Sequence, residues 1–136
     1  KPPLLRALSL APDNVEAMAA LAEAEEGLGE LQPAEDRAQR ALARSGSDAT
    51  ANRVMGMVRM KQDRYVEARD ALLKAVALDS CSTKAQYQLS LAYARLGETA
   101  SAEKHLAQYR RCAAAAESRV EEVRALTGFS PGGMSR

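Results

Sequence analysis

The chain has 136 residues, with 19 Lys and Arg against 18 Asp and Glu, 46% hydrophobic residues and only 4% aromatic ones. So even a charge balance argues against a nucleic-acid-binding module, which carries a clustered basic face. No apolar run approaches the ~18–20 residues that span a bilayer, so no membrane insertion is expected. The apolar content is mostly alanine and leucine, which suits helices packed at close range.

Residues 1–14 read as the end of a helix that began upstream. Ala7 keeps register with Ala41 and Ala75, and Pro12 blocks continuation. The array is therefore expected to begin before Lys1. Asp13 is the expected cap of the next helix, with Glu16 as its reciprocal partner. That helix spans about Asn14 to Leu28 and stops at Gly29. Pro33 stands in the first turn of the following helix, where a missing N–H does no harm, and this helix runs to about Arg44. Ser45–Asp48 is a turn, with Asp48 poised to cap. Two helices follow at about Ala49–Lys61 and Tyr65–Leu78, and another begins near Ser82 and turns at Gly97.

No glycine or proline interrupts Glu98 to Thr127. Leu106, Tyr109, Ala113, Ala116, Val120 and Val123 fall at alternating spacings of three and four, an apolar seam of heptad type. One long helix from about Thr99 to Leu126 is favoured over a break near Ala116, where Ser118 and Glu121 form a candidate capping box. Residues 117–127 are expected to cap the end of the array. Residues 128–136, with Pro131, Gly132 and Gly133, are expected to form a mobile tail.

Small residues recur through the chain at one fixed interval. Gly56, Ala68 and Ala75 have counterparts 34 residues earlier in Ala22, Ala34 and Ala41, and 34 later in Ser90, Ala102 and Tyr109. Leu21, Met55 and Leu89 align in the same way, as do the turn residues Gly29, Asp63 and Gly97. Such a self-match means a stacked repeat array. The small residues are steric: antiparallel helices approach closely only where side chains are short, and overpacking costs about 1–3 kcal/mol. Each helix pair buries only part of its apolar surface and relies on its neighbour for the rest.

The three copies, Val15–Asp48, Ala49–Ser82 and Thr83–Ala116, resemble tetratricopeptide repeats. The resemblance rests on Leu21, Ala22, Ala34 and Ala41 in the first copy and on Met55, Gly56, Ala68, Leu72 and Ala75 in the second. In the third it rests on Leu89, Ser90, Tyr93, Ala102 and Leu106. Glu25 and Arg59 stand where the family often has an aromatic, Ala38 replaces a large residue and Tyr109 replaces the last alanine. The resemblance implies an all-α solenoid, a right-handed superhelix of antiparallel helix pairs whose first helices line a concave groove.

Carried over residue by residue, the resemblance places Glu23 in the groove from the first copy, and Arg53, Met57, Met60 and Lys61 from the second. The third copy supplies Lys84, Tyr87, Gln88, Leu91 and Arg95. A small acidic end, an apolar sulfur-rich centre and a basic end carrying Tyr87 are expected. Flexible methionines suit an irregular apolar ligand. The expected partner is a protein or peptide segment, apolar with an acidic end lying near the third copy. Family members that clamp the carboxylate tails of chaperones use lysine, asparagine and arginine at five positions. Here those positions are Ala19, Glu23, Val54, Lys84 and Gln88, and only Lys84 matches, which argues against that clamp.

Catalytic signals are absent from the sequence. His105 is the sole histidine and is expected on the outward side of the last helix, and Glu23, Glu25 and Glu26 read as a solvated acidic face. Cys81 and Cys112 make no metal-ligand pattern. They read as free thiols in a reducing compartment rather than as a disulfide, which leans to a cytoplasmic location. No enzyme activity, metal or cofactor is expected. The functional expectation is an interaction scaffold. The alternative is a structural or oligomerisation arm of a larger protein, with a homodimer through the C-terminal helix.

Overall fold

The computed structural model describes residues 14–128. The expected upstream helix end at residues 1–13 and the tail beyond Gly128 lie outside these. Six helices follow one another: α1 (Val15–Gly27), α2 (Leu31–Arg44), α3 (Ala49–Lys61), α4 (Tyr65–Leu78), α5 (Thr83–Arg95) and α6 (Thr99–Thr127). They pack as antiparallel pairs, α1 with α2, α3 with α4 and α5 with α6, and the first helices α1, α3 and α5 also touch in a row. This is an all-α solenoid.

The local signals recur in phase. Asn14, Asp48 and Ser82 cap the three first helices, accepting from the backbone N–H of Ala17, Ala51 and Ala85 at 2.8, 2.8 and 3.3 Å. The first of these corrects the sequence reading, in which Asp13 was the cap. Each first helix ends on a left-handed residue, Gly29, Asp63 or Gly97, with φ of 81°, 59° and 78°. The N–H of the next residue then reaches back five positions, from Glu30 to Glu25, Arg64 to Arg59 and Glu98 to Tyr93. That bond closes a Schellman turn and aims the second helix back along the first. Aspartate tolerates the left-handed region better than most residues, and Tyr65 fixes Asp63 by donating to its Oδ1 at 2.8 Å.

The repeated small residues sit where helices cross. Ala22, Ala34, Ala41 and Ala68 are fully buried, as are the large residues Leu21, Val54, Val58, Leu72 and Leu89 that pack around them. Burying one such large side chain contributes about 1.5–3 kcal/mol.

The last helix is a single element of 29 residues, against 14 in α2 and in α4, with no break at Ala116. Its first half packs on α5. Its second half does not cap the array as expected: Val120 and Val123 are 50% and 55% exposed, and Leu126 86%. Among the described helices α6 packs only against α5. A straight helix of this length runs past the partner it packs on, so residues 117–127 extend into solvent.

Three further expectations are corrected. Cys81 and Cys112 form a disulfide, with Cα atoms 5.4 Å apart. Because α6 runs back antiparallel along α5, Cys112 arrives beside the turn from which α5 starts. The argument from free thiols for a cytoplasmic location falls with it, since disulfides belong to oxidising environments. His105 does not face outward. Its ring stacks on Tyr93 at 5.5 Å, and its Nδ1 lies 2.8 Å from Gln86 Oε1. The Gln86 amide nitrogen already donates to the Ser80 carbonyl, so its oxygen is the acceptor and His105 carries the proton on Nδ1. Partial burial, with Lys104 adding to it, holds the imidazole below its usual pKa. Finally, Glu25 and Glu26 are buried rather than solvated. Glu25 accepts from Arg37 Nε at 2.9 Å, and Glu26 pairs with Lys61 Nζ at 2.6 Å. The solenoid lays α2 and α3 against α1, and each brings a cation to a carboxylate that would otherwise be stranded.

Candidate binding groove

The row of first helices presents one face, and most of the sequence-predicted residues lie along it. Glu23 on α1, Arg53 on α3 and Lys84 on α5 form a single ion cluster. Arg53 Nη2 donates to Glu23 Oε2, and Lys84 Nζ stands 3.7 Å from the same oxygen. Partial burial alone would raise the Glu23 pKa. The hydrogen bond and charge of Arg53, with Lys84 behind it, outweigh that and hold the carboxyl below its usual value. The acidic and basic ends expected from sequence are therefore one neutralised bridge with an excess cation. Arg53 is mostly buried and spoken for, with Met57 Sδ also within 3.9 Å of its Nη1. The side chain of Lys84 is 65% exposed and keeps donors to spare.

Beside Lys84 lies a cleft of about 270 Å³ lined by Met57, Thr83, Lys84, Tyr87, Gln88 and Tyr109. Tyr87 and Tyr109 set its back wall, their ring centroids 5.5 Å apart and tilted by 51°, a geometry aromatic pairs favour. The cleft thus offers apolar and aromatic walls with one exposed, only partly paired ammonium at the rim.

Other predicted residues are drawn elsewhere. Met60 packs against the buried cluster of Ala68, Leu72 and Leu89. Lys61 turns to Glu26, bonding its backbone carbonyl at 3.1 Å as well as its carboxylate. The guanidinium of Arg95 sits over the Tyr65 ring, 5.8 Å from its centroid. Leu91 lines a second cleft, of about 340 Å³, between α5 and α6. Tyr109 is the residue that the groove pattern missed. Its signal was already in the repeat, since it breaks the run of alanines at Ala41 and Ala75. Among the described residues no three His, Cys, Asp or Glu side chains converge to hold a metal, and no helix is long and apolar enough to cross a membrane.

No protein-family model and no curated protein matches the sequence. Solved structures do resemble the fold. A crystal structure of MamA superposes with a TM-score of 0.70 at 25% identity over 80% of this chain, which spans 64% of the MamA chain. YrrB, described as a TPR protein with an unusual peptide-binding site, gives a TM-score of 0.74 at 22% identity, with 80% of this chain and 56% of YrrB covered. The second TPR of Spaghetti (RPAP3), bound to the HSP90 peptide SRMEEVD, gives 0.67 at 20% identity, covering 72% of this chain and 91% of that one. The chain accordingly spans less than two thirds of the MamA and YrrB structures.

Proposed function

Because this chain is a tetratricopeptide-repeat protein, we propose that it is a non-catalytic interaction module that takes a protein or peptide segment on the face lined by α1, α3 and α5. The observation that carries this reading is the cleft between Met57, Tyr87 and Tyr109, apolar inside and bordered by an ammonium whose charge the Glu23 carboxylate does not use up. The segment that fits has an apolar side chain for the cleft and a neighbouring carboxylate for Lys84. The peptide-bound neighbour and the peptide-binding site of YrrB support peptide binding by a fold of this kind. The mismatch at Ala19, Glu23, Val54 and Gln88 speaks for a ligand other than the terminal-carboxylate kind.

Display selection of random peptides on the intact chain, with counter-selection on a Lys84→Ala, Tyr87→Ala variant, tests the proposal. Both residues are exposed, so the variant keeps its core. Recovered peptides are expected to pair an acidic residue with a large apolar one and to lose binding to the variant. Peptides that bind both forms equally would sink it.

A second reading has its own observation. The uncovered Val120, Val123 and Leu126 on a helix that leaves the array support an assembly arm, with a homodimer joined through this segment. Sedimentation of the chain against a Val120→Glu, Val123→Glu variant separates the two readings, since only the second expects a dimer that the variant dissolves.

A further inference from the structure

The 34-residue register sets three equivalent surfaces side by side. On the first, Ala34 and Ala38 are fully buried beneath Val54, Met55 and Val58 of α3. On the second, Ala68 and Leu72 are fully buried beneath Ala85 and Leu89 of α5. The third surface carries Ala102 and Leu106 at the matching positions, and there both remain partly exposed. They form the floor of the cleft of about 340 Å³ between α5 and α6, walled by Leu91 and Ala94 and edged by Glu103. The overhanging half of α6 does not fold back over it, since among the described helices α6 packs only on α5.

The chain thus shows, twice, what covers a surface of this kind: one amphipathic helix laid across the helix pair. It also shows the electrostatics. Glu35, the counterpart of Glu103 on the first surface, accepts from Arg59 of the covering helix at 2.9 Å. Glu103 itself makes no ion pair among the described residues.

We propose that the α5–α6 end face is a docking site for an amphipathic α-helix of a partner protein. That helix carries a small residue, a large apolar residue four positions on, and a basic residue four further on, the pattern of Ala51, Met55 and Arg59 in α3. The small residue leaves room for Tyr109, which stands where Ala51 meets Ala41 on the first surface, the apolar one fills the cleft over Ala102 and Leu106, and the basic one meets Glu103. The site is separate from the cleft at Lys84, although Tyr87 borders both.

The test uses a fluorescent peptide with the sequence of α3, residues 49–61. It is held helical by a side-chain staple through its Gly56 and Met60 positions, which face α4 and α5 rather than the pair that α3 covers. Saturable binding to the intact chain is expected by fluorescence anisotropy. Leu106→Glu is expected to weaken it about tenfold or more, while Lys84→Ala leaves it unchanged, which distinguishes this site from the other. Should Leu106→Glu disturb folding, a charge swap decides without touching the packing. Glu103→Arg is expected to weaken binding, and the Arg59→Glu peptide to restore it. No saturable binding below about 1 mM, or a charge swap without rescue, would overturn the proposal. So would a dimer of the chain alone that Leu106→Glu abolishes and the peptide cannot displace, since the occupant would then be a second copy.

Discussion

Gly56 on α3 and Leu72 on α4 leave no room between them for a methyl group. A Cβ built on Gly56 would lie 2.6 Å from Leu72 Cδ2 and closer still to its Cγ, and Leu72 is fully buried with nowhere to retreat. Gly56→Ala gains about 1 kcal/mol of helix propensity, but it forces the branch point of a core leucine to move, and overpacking of this kind costs about 1–3 kcal/mol. The net effect is expected to be destabilising. Urea unfolding checks it, and a higher midpoint in Gly56→Ala would show that α3 and α4 can separate at low cost.

The Cys81–Cys112 bridge closes a sequence separation of 31 residues and ties the α4–α5 turn to the middle of α6. Restricting the unfolded chain over such a loop contributes about 3–4 kcal/mol in the chain-entropy model. Cys112 is buried and Cys81 exposed, so a thiol reductant attacks at Cys81. Reduction, or Cys81→Ser with Cys112→Ser, is expected to lower the thermal midpoint and raise amide exchange first in α6. An unchanged midpoint on full reduction would mean that α5 holds α6 unaided.

Acid should weaken the fold in two stages. The His105 pKa is lowered from 6.5 by burial and by Lys104, so the unfolded chain binds its proton more readily. The stability tied to neutral His105 is present above pH 6.5 and is lost as the pH falls through its folded value. The Glu23 pKa is lowered from 4.5, where burial is outweighed by Arg53 and Lys84. Its contribution is present above pH 4.5 and is lost as the pH falls through the lower folded value. Unfolding free energies from pH 8 to 3 should show both steps, with His105→Gln removing the first and Glu23→Gln reducing the second.

The overhang of α6 is expected to add little to the stability of the array. Val120 and Val123 are 50% and 55% exposed, and surface changes away from contacts stay within about ±0.5 kcal/mol. Val120→Ser with Val123→Ser should therefore leave the urea midpoint of the dilute chain unchanged. A fall in that midpoint would place these side chains against a surface within the chain or on a second copy.

What the sequence determined by itself is what repeats or acts locally. The 34-residue register, the turns at Gly29, Asp63 and Gly97, the small residues at helix crossings and the uninterrupted run from Glu98 to Thr127 were legible. Backbone preference, capping and helical period are properties of neighbouring residues. Even there the cap slipped by one position, to Asn14, because two adjacent residues were both competent. Tertiary structure decided the pairings. Glu23 meets Arg53 and Lys84, Glu25 meets Arg37, Glu26 meets Lys61, and Cys81 meets Cys112. It also decided that Ala102 and Leu106 stay partly open while their counterparts are buried. Helical periodicity states which side of a helix is apolar or charged. What lies opposite depends on how successive helix pairs are stacked.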